Sequence, residues 1–216
     1  MKEKNIHTKK LFEKYYETRD WNWYRDLVAE CIRYGMPGKW LDLGAGLGLF
    51  VECAQRFGID CIGLEGSEYA VSKAKERVPN MNISHHFLED KLPFENNSIS
   101  TIVCYQVIEH ICQKTVRFML AECYRILVEN GIILIYSPSK YNRKERLEET
   151  HINLYSPSSL RKELRSAGFE VLATPNTPRS LFGPFKIAEY VTRGIYKLFP
   201  FDCLSATANC IAVKPK

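Results

Sequence analysis

At 216 residues the chain is somewhat longer than one typical domain, and a single α/β domain with additions accommodates it. A hydrophobic content of 45% beside 25% charged residues provides for a full core, and a formal charge of +5 is too mild to argue for nucleic acid. The opening "MKEKNIHTKKLFEKYYETRD" lacks the apolar core of a secretory signal, and no apolar run approaches the ~20 residues of a membrane span. The expected location is therefore cytoplasmic.

Residues 1–36 read as a helical, aromatic-rich segment ended by Pro37 and Gly38. "KWLDLG" reads as a buried first strand, "LGLFVECAQRFG" as a helix and "IDCIGLE" as a second strand. "SEYAVSKAKERV" is a helix with Ser67 as its N-cap, and "NISHHF" a short third strand. "STIVCYQVIEHI" opens as a fourth strand and "TVRFMLAECYRIL" is helical. Asn130-Gly131 turns the chain into "GIILIYS", the fifth strand. "SPSSLRKELRSAG" is a helix with proline near its start, and "FEVLAT" and "TANCIAVKPK" are two last strands read as an antiparallel pair. The eight cysteines form no CxxC pair and several lie in apolar runs. Neither a zinc site, a redox motif nor a disulfide framework is expected, only buried, reduced thiols.

This alternation predicts a Rossmann-like α/β fold, a doubly wound seven-stranded sheet, mostly parallel, with an antiparallel C-terminal edge strand. One domain suffices: an N-terminal helical lid over 1–36, a cofactor-binding core over 37–174, a helical insertion over 175–204 and a final strand over 205–216.

The segment "WLDLGAGLGLF" sits where ligands bind in such sheets, beyond the carboxyl end of the first strand. Glycines there permit positive φ and close approach of a ligand to the backbone. The GxGxG spacing differs from the GxGxxG of nicotinamide-dinucleotide folds, and Asp42 would repel a pyrophosphate. Glu65, ending the second strand, is placed to accept both hydroxyls of a ribose. The expected ligand carries a ribose and a positive charge.

Together, "WLDLGAGLGLF", "CIGLEGSEYAVSKAKE", "LPFENNSISTIVCYQVIEHI", "AECYRILVENGIILIYSP" and "HINLYSPSSLRKELRSAGFEVL" resemble the ordered motifs of class I S-adenosylmethionine-dependent methyltransferases, in their small-molecule, type-11-like branch. The resemblance runs from about residue 38 to 173 and resumes at the last strand. It implies S-adenosylmethionine as cofactor and S-adenosylhomocysteine as product. Asp42, Gly44, Ala45, Gly46 and Gly48 would surround the methionine part and Glu65 would hold the ribose. Gly66 and Ser67 would lie beside the adenosine, and Gln106 would join the cofactor pocket. The family's usual adenine-binding aspartate is replaced by Phe87 or Leu88, which leaves Glu89 or Asp90 for that role, or else backbone and stacking. Ser100 stands where aspartate is common.

Methyl transfer needs chiefly an in-line nucleophile, and a general base if that nucleophile is a hydroxyl. Glu109 and His110 follow the fourth strand. His110 reads either as that base or as a structural histidine capping with Glu109. His151, after the fifth strand, reads as a substrate-facing or a packing residue, and His85 and His86 as structural. No metal set is expected. Lys140, Arg143, Lys144 and Arg146 form either a solvated loop or a rim for an anionic substrate. Within 185–199, Ile187, Val191, Ile195 and Leu198 share one helical face. This stretch is either a cover over the pocket or a peripheral contact at the inner membrane face.

The expected activity is methyl transfer to an O, N or C atom of a small molecule or lipid-linked intermediate, without nucleic acid. A catalytically silent methyltransferase-like subunit and a nicotinamide oxidoreductase are the alternatives. The oligomeric state is left open.

Overall fold

The computed structural model describes residues 21–177, 194, 196–198 and 201–216. Seven strands form one sheet: β1 (Trp40–Leu43), β2 (Cys61–Glu65), β3 (Ile83–His85), β4 (Ile99–Tyr105), β5 (Leu127–Tyr136), β6 (Glu170–Ala173) and β7 (Cys210–Val213). Their order is β3-β2-β1-β4-β5-β7-β6. The strands β1 to β5 pair in parallel, and β7 runs antiparallel to both β5 and β6. The expected antiparallel C-terminal pair is present, with β7 inserted between β5 and β6, so that β6 forms the edge.

Among the described residues, five helices cover the sheet: α1 (Trp21–Ile32), α2 (Leu49–Arg56), α3 (Glu68–Arg77), α4 (Gln113–Ile126) and α5 (Pro157–Ser166). Period-two alternation along the strands divides the core in two. Leu41, Leu43, Ile102, Cys104, Ile133 and Ile135 face α4 and α5. Trp40, Val103, Ile132, Leu134 and Tyr136 face α1, α2 and α3. Local signals set the helix starts. Ser67 Oγ accepts the Ala70 amide to begin α3, and a Ser156–Ser159 capping box with Pro157 begins α5. Six of the eight free cysteines are buried in these layers, Cys112 is half-buried, and Cys203 is exposed.

Of the expected 1–36 lid, residues 21–36, with α1, fall among the described residues. It packs on α2, with Trp21 under the Arg56 guanidinium, and places Trp23 edge-on against Tyr105 at the end of β4. Most of the expected 175–204 insertion, with Ile187, Val191 and Ile195, lies outside the described residues, as do residues 1–20. No helix among the described residues is long and apolar enough to cross a membrane.

Position 63 shows how closely the sheet meets the turn above it. A Cβ at Gly63, in the middle of β2, would stand 2.8 Å from the Ala45 Cβ and 3.0 Å from Val51 Cγ2. Gly63→Val is expected to destabilise the chain by about 1–3 kcal/mol, as overpacking does. Urea denaturation measures it, and an unchanged midpoint would contradict this packing.

Candidate active site

The parallel sheet reverses its order at β1, which has β2 on one side and β4 on the other. A cleft therefore opens beyond their carboxyl ends. The glycine turn lines it. Gly44, Gly46 and Gly48 have φ of 74°, 54° and 70°, so the backbone enters the left-handed region at alternate residues. A side chain there costs roughly 1–2 kcal/mol. A Cβ on Gly44 would also collide with Val107, and one on Gly48 with Met81.

Hydrogen bonds lock this turn to the end of β2. The Gly44 and Ala45 amides donate to the Leu64 carbonyl at 2.8 and 3.0 Å, and the Gly48 amide donates to that of Ala45 at 2.8 Å. The buried Glu65 carboxylate then bridges two loops. Its Oε2 accepts the Gly46 amide and its Oε1 the Ser67 amide, both at 2.8 Å. A carboxylate has about four lone-pair sites, so Glu65 retains capacity for a ligand's hydroxyls.

Asp42 lies beneath the turn and is 3% exposed. Burial first, and the charge of Glu65 second, push its carboxyl up to about 8. Burial also raises Glu65, against the lowering effect of the Gly46, Ser67 and Gly66 amides. Without a cation nearby, Asp42 is protonated at neutral pH. A positively charged ligand favours its ionised form. The donor set of a diol-accepting carboxylate and a second acid awaiting a cation fits S-adenosylmethionine.

Glu89 and Asp90 are exposed on a turn closed by the Asp90 amide and the Phe87 carbonyl at 3.1 Å. Phe87 is the side chain that reaches Gly66, lying 3.8 Å from where its Cβ would be. Its ring is edge-on to His85, at 4.8 Å between centroids. His85 Nε2 is 3.0 Å from the Gly66 carbonyl, a structural use as expected. Ser100, in the place of an aspartate, donates its hydroxyl to the Lys39 carbonyl at 2.9 Å and so anchors the loop before β1.

The opposite wall begins where β4 ends. Gln106 has φ of 57°, uncommon for a residue with a side chain, and its amide donates to the Tyr136 carbonyl at 2.8 Å. Outliers of this kind concentrate at functional sites. The reversal swings Val107 onto Gly44 and starts the 3₁₀ turn Ile108–His110. Glu109 is fully buried and His110 is 8% exposed. His151 meets them from the segment after β5, its ring edge-on to that of His110 at 4.9 Å. The Ile152 and Asn153 amides donate to the Glu109 carbonyl at 2.9 and 3.1 Å and join the two segments.

The three candidate catalytic residues are thus brought together, although they lie about forty positions apart in the chain. The chain spacing suggests no metal set, yet a ligand atom from each of Glu109, His110 and His151 lies within 4.8 Å of the others. Sequence reasoning missed Ser137, whose hydroxyl donates to Glu109 Oε2 at 3.1 Å. Its place at the carboxyl end of β5 was the available signal.

A family model for a methyltransferase domain matches residues 16–174, and the chain belongs to that family, the class I S-adenosylmethionine-dependent methyltransferases. The chain is 29% identical over 152 residues to a Mycolicibacterium smegmatis protein named as a probable S-adenosylmethionine-dependent methyltransferase, covering 68% of this chain and 56% of that one. The chain spans about half the length of such curated relatives. It is 28% identical over 153 residues to the sterol 24-C-methyltransferase of Saccharomyces cerevisiae, covering 62% of this chain and 39% of the yeast protein. The crystal structure of a SAM-dependent methyltransferase from Archaeoglobus fulgidus shares the fold with a TM-score of 0.70 at 19% identity, over 94% of this chain and 98% of that one.

The raised Asp42 carboxyl links folding to pH. It moves from 3.8 to about 8 on folding, so its contribution favours the folded state at acidic pH and is lost as pH climbs towards 8. Asp42→Asn removes this loss. The cofactor-free variant is expected to unfold at a higher urea midpoint than the parent above about pH 8, the gap narrowing towards about pH 4. The same variant should bind a cationic ligand more weakly. A gap independent of pH would place the Asp42 carboxyl elsewhere in its titration.

Proposed function

We propose that the chain transfers the methyl group of S-adenosylmethionine, by in-line displacement, to a small molecule or lipid-linked acceptor. The observation that carries this reading is the Glu65 carboxylate joined to the Gly46 and Ser67 amides above buried Asp42. That arrangement offers acceptors for a diol and a counter-charge for a cation while presenting no cradle for a pyrophosphate. When bound, S-adenosylmethionine supplies a strongly electrophilic methyl carbon.

The chain's own residues do the rest. The glycine turn, Glu65 and Asp42 orient the cofactor, and α1 with Trp23 shields the ends of β4 and β5 from water. Holding the two reactants in line contributes on the order of 7–11 kcal/mol. The acceptor's proton is handled at the opposite wall. His110 Nδ1 is 3.0 Å from the Thr150 carbonyl, which only accepts, so this nitrogen acts as the donor and a neutral ring would carry its lone pair on Nε2. That tautomer is the one a general base requires.

Two features support an acceptor with an apolar part. Leu147 and Ile152, on either side of His151, are exposed at 75% and 51%. The yeast relative is named for a sterol, a largely apolar molecule. Membrane proximity through 185–199 belongs to the same proposal.

The test is to supply S-adenosylmethionine labelled in its methyl group with a metabolite extract, then separate aqueous from organic phases. Label is expected in a discrete product, mainly in the organic phase. His110→Ala is expected to slow transfer by about 10²–10⁴-fold while leaving cofactor binding intact. Bound cofactor with no labelled product in either phase would favour the catalytically silent subunit.

A further inference from the structure

We propose that Glu109, His110 and His151 form a divalent-cation site for a borderline metal such as Zn²⁺ or Co²⁺, at the acceptor wall of the cleft. One carboxylate and two imidazoles are the donors. All three are withdrawn from water: Glu109 is fully buried, His110 is 8% exposed and the His151 side chain 3%.

Each donor is held in place by a hydrogen bond from the protein. His110 Nδ1 stands 3.0 Å from the Thr150 carbonyl, and His151 Nδ1 stands 2.9 Å from the Glu145 carbonyl. Carbonyl oxygens only accept, so both Nδ1 atoms act as donors and each ring turns its Nε2 edge away from that contact. The Ser137 hydroxyl donates to Glu109 Oε2 and orients the carboxylate. Histidines held through the far nitrogen by carbonyls, beside a hydrogen-bonded carboxylate, are the usual support of metal ligands.

Electrostatics and geometry agree with this assignment. A carboxylate this deeply buried carries a desolvation cost in its ionised form, which a bound cation would offset. The ligand atoms lie within 4.8 Å of one another, whereas a tetrahedral set with bonds of ~2.1 Å has edges of about 3.4 Å. Side-chain rotations of roughly 1–2 Å close that gap. The Ile152 and Asn153 amides on the Glu109 carbonyl already fix the two backbone segments. A mixed nitrogen–oxygen set selects borderline transition metals over Ca²⁺ and Mg²⁺, which prefer oxygen alone.

Three protein ligands leave a coordination position open. This last step rests on the methyl-transfer reading: the open position faces the acceptor, which identifies it as a molecule presenting a hydroxyl or enol oxygen. With a metal bound, His110 Nε2 would be a ligand in place of the general base of the metal-free reading; coordination would lower the pKa of the acceptor oxygen, whose proton would pass to water before the oxygen meets the methyl carbon.

The test uses the full chain, stripped with a chelator and dialysed, then titrated with Zn²⁺ by calorimetry and with Co²⁺ by visible absorption. The expected result is one equivalent of either metal, with Co²⁺ ligand-field bands. His110→Ala and His151→Ala are expected to abolish this binding, and Ser137→Ala to weaken it by about 10–100-fold. S-adenosylhomocysteine binding by each variant reports an intact pocket, and His151→Ala decides the matter should His110→Ala misfold. Absence of stoichiometric binding by the parent, or unchanged binding by the folded variants, would overturn the proposal. Metal bound with one equivalent but no affinity for S-adenosylhomocysteine would instead remove the methyl-transfer reading and leave the metal site standing.

Discussion

The site depends above all on the Glu65 carboxylate and the two backbone amides that it accepts. Gly46 belongs to the turn after β1 and Ser67 to the turn after β2, so one side chain holds the two loops at a fixed separation. Loss of the carboxylate leaves two buried N–H groups without that acceptor, at about 1–3 kcal/mol each. The parallel pairing of β1 with β2, Leu43 beside Leu64, delivers the two loops to the same end of the sheet. Gly63 lets Ala45 settle directly on β2. Sheet, turn and carboxylate form one unit.

The cleft has two walls of different character. On the glycine side, backbone amides and two coupled acids are shaped around a ligand that brings its own positive charge. Burial and the neighbouring Glu65 charge raise the Asp42 carboxyl to about 8, and a cationic ligand would favour its ionised form. On the β4 side, the reversed backbone at Gln106 aims a short turn at the cleft, and His151 returns from beyond β5 to meet it. Val107 on Gly44 joins the walls mechanically. Small displacements of the 3₁₀ turn therefore reach the glycine turn through direct contact.

Much of this was legible in the chain itself. The strands β1, β2, β4 and β5 are apolar runs bounded by turn residues, and burial on both faces is what such runs require. The three glycines spaced two apart translate directly into three positive φ values. Ser67 marked one helix start through its capping chemistry, and the proline of "SPSSLRKELRSAG" marked another. Other features depended on partners distant in sequence. The strand β5 begins at Leu127, before Asn130-Gly131, because Leu127 pairs with Ile99 as soon as α4 ends. The strand β7 enters beside β5, so β6 occupies the edge. The direction of the turn after Phe87 exposes Glu89 and Asp90 and brings Phe87 to Gly66 instead. The meeting of His151 with Glu109 and His110 arises from two amides donating to one carbonyl across some forty residues, which no local pattern encodes.

The most direct measurement is calorimetric titration of S-adenosylhomocysteine and NAD into the chain and into Glu65→Ala, with circular dichroism as the fold control. The account predicts that the sulfur nucleoside binds, that NAD does not, and that the folded variant binds at least about tenfold more weakly, as expected for loss of charged hydrogen bonds. Equal affinity in parent and variant, or preference for NAD, would contradict the assignment of Glu65 as the keystone of a methyl-donor site.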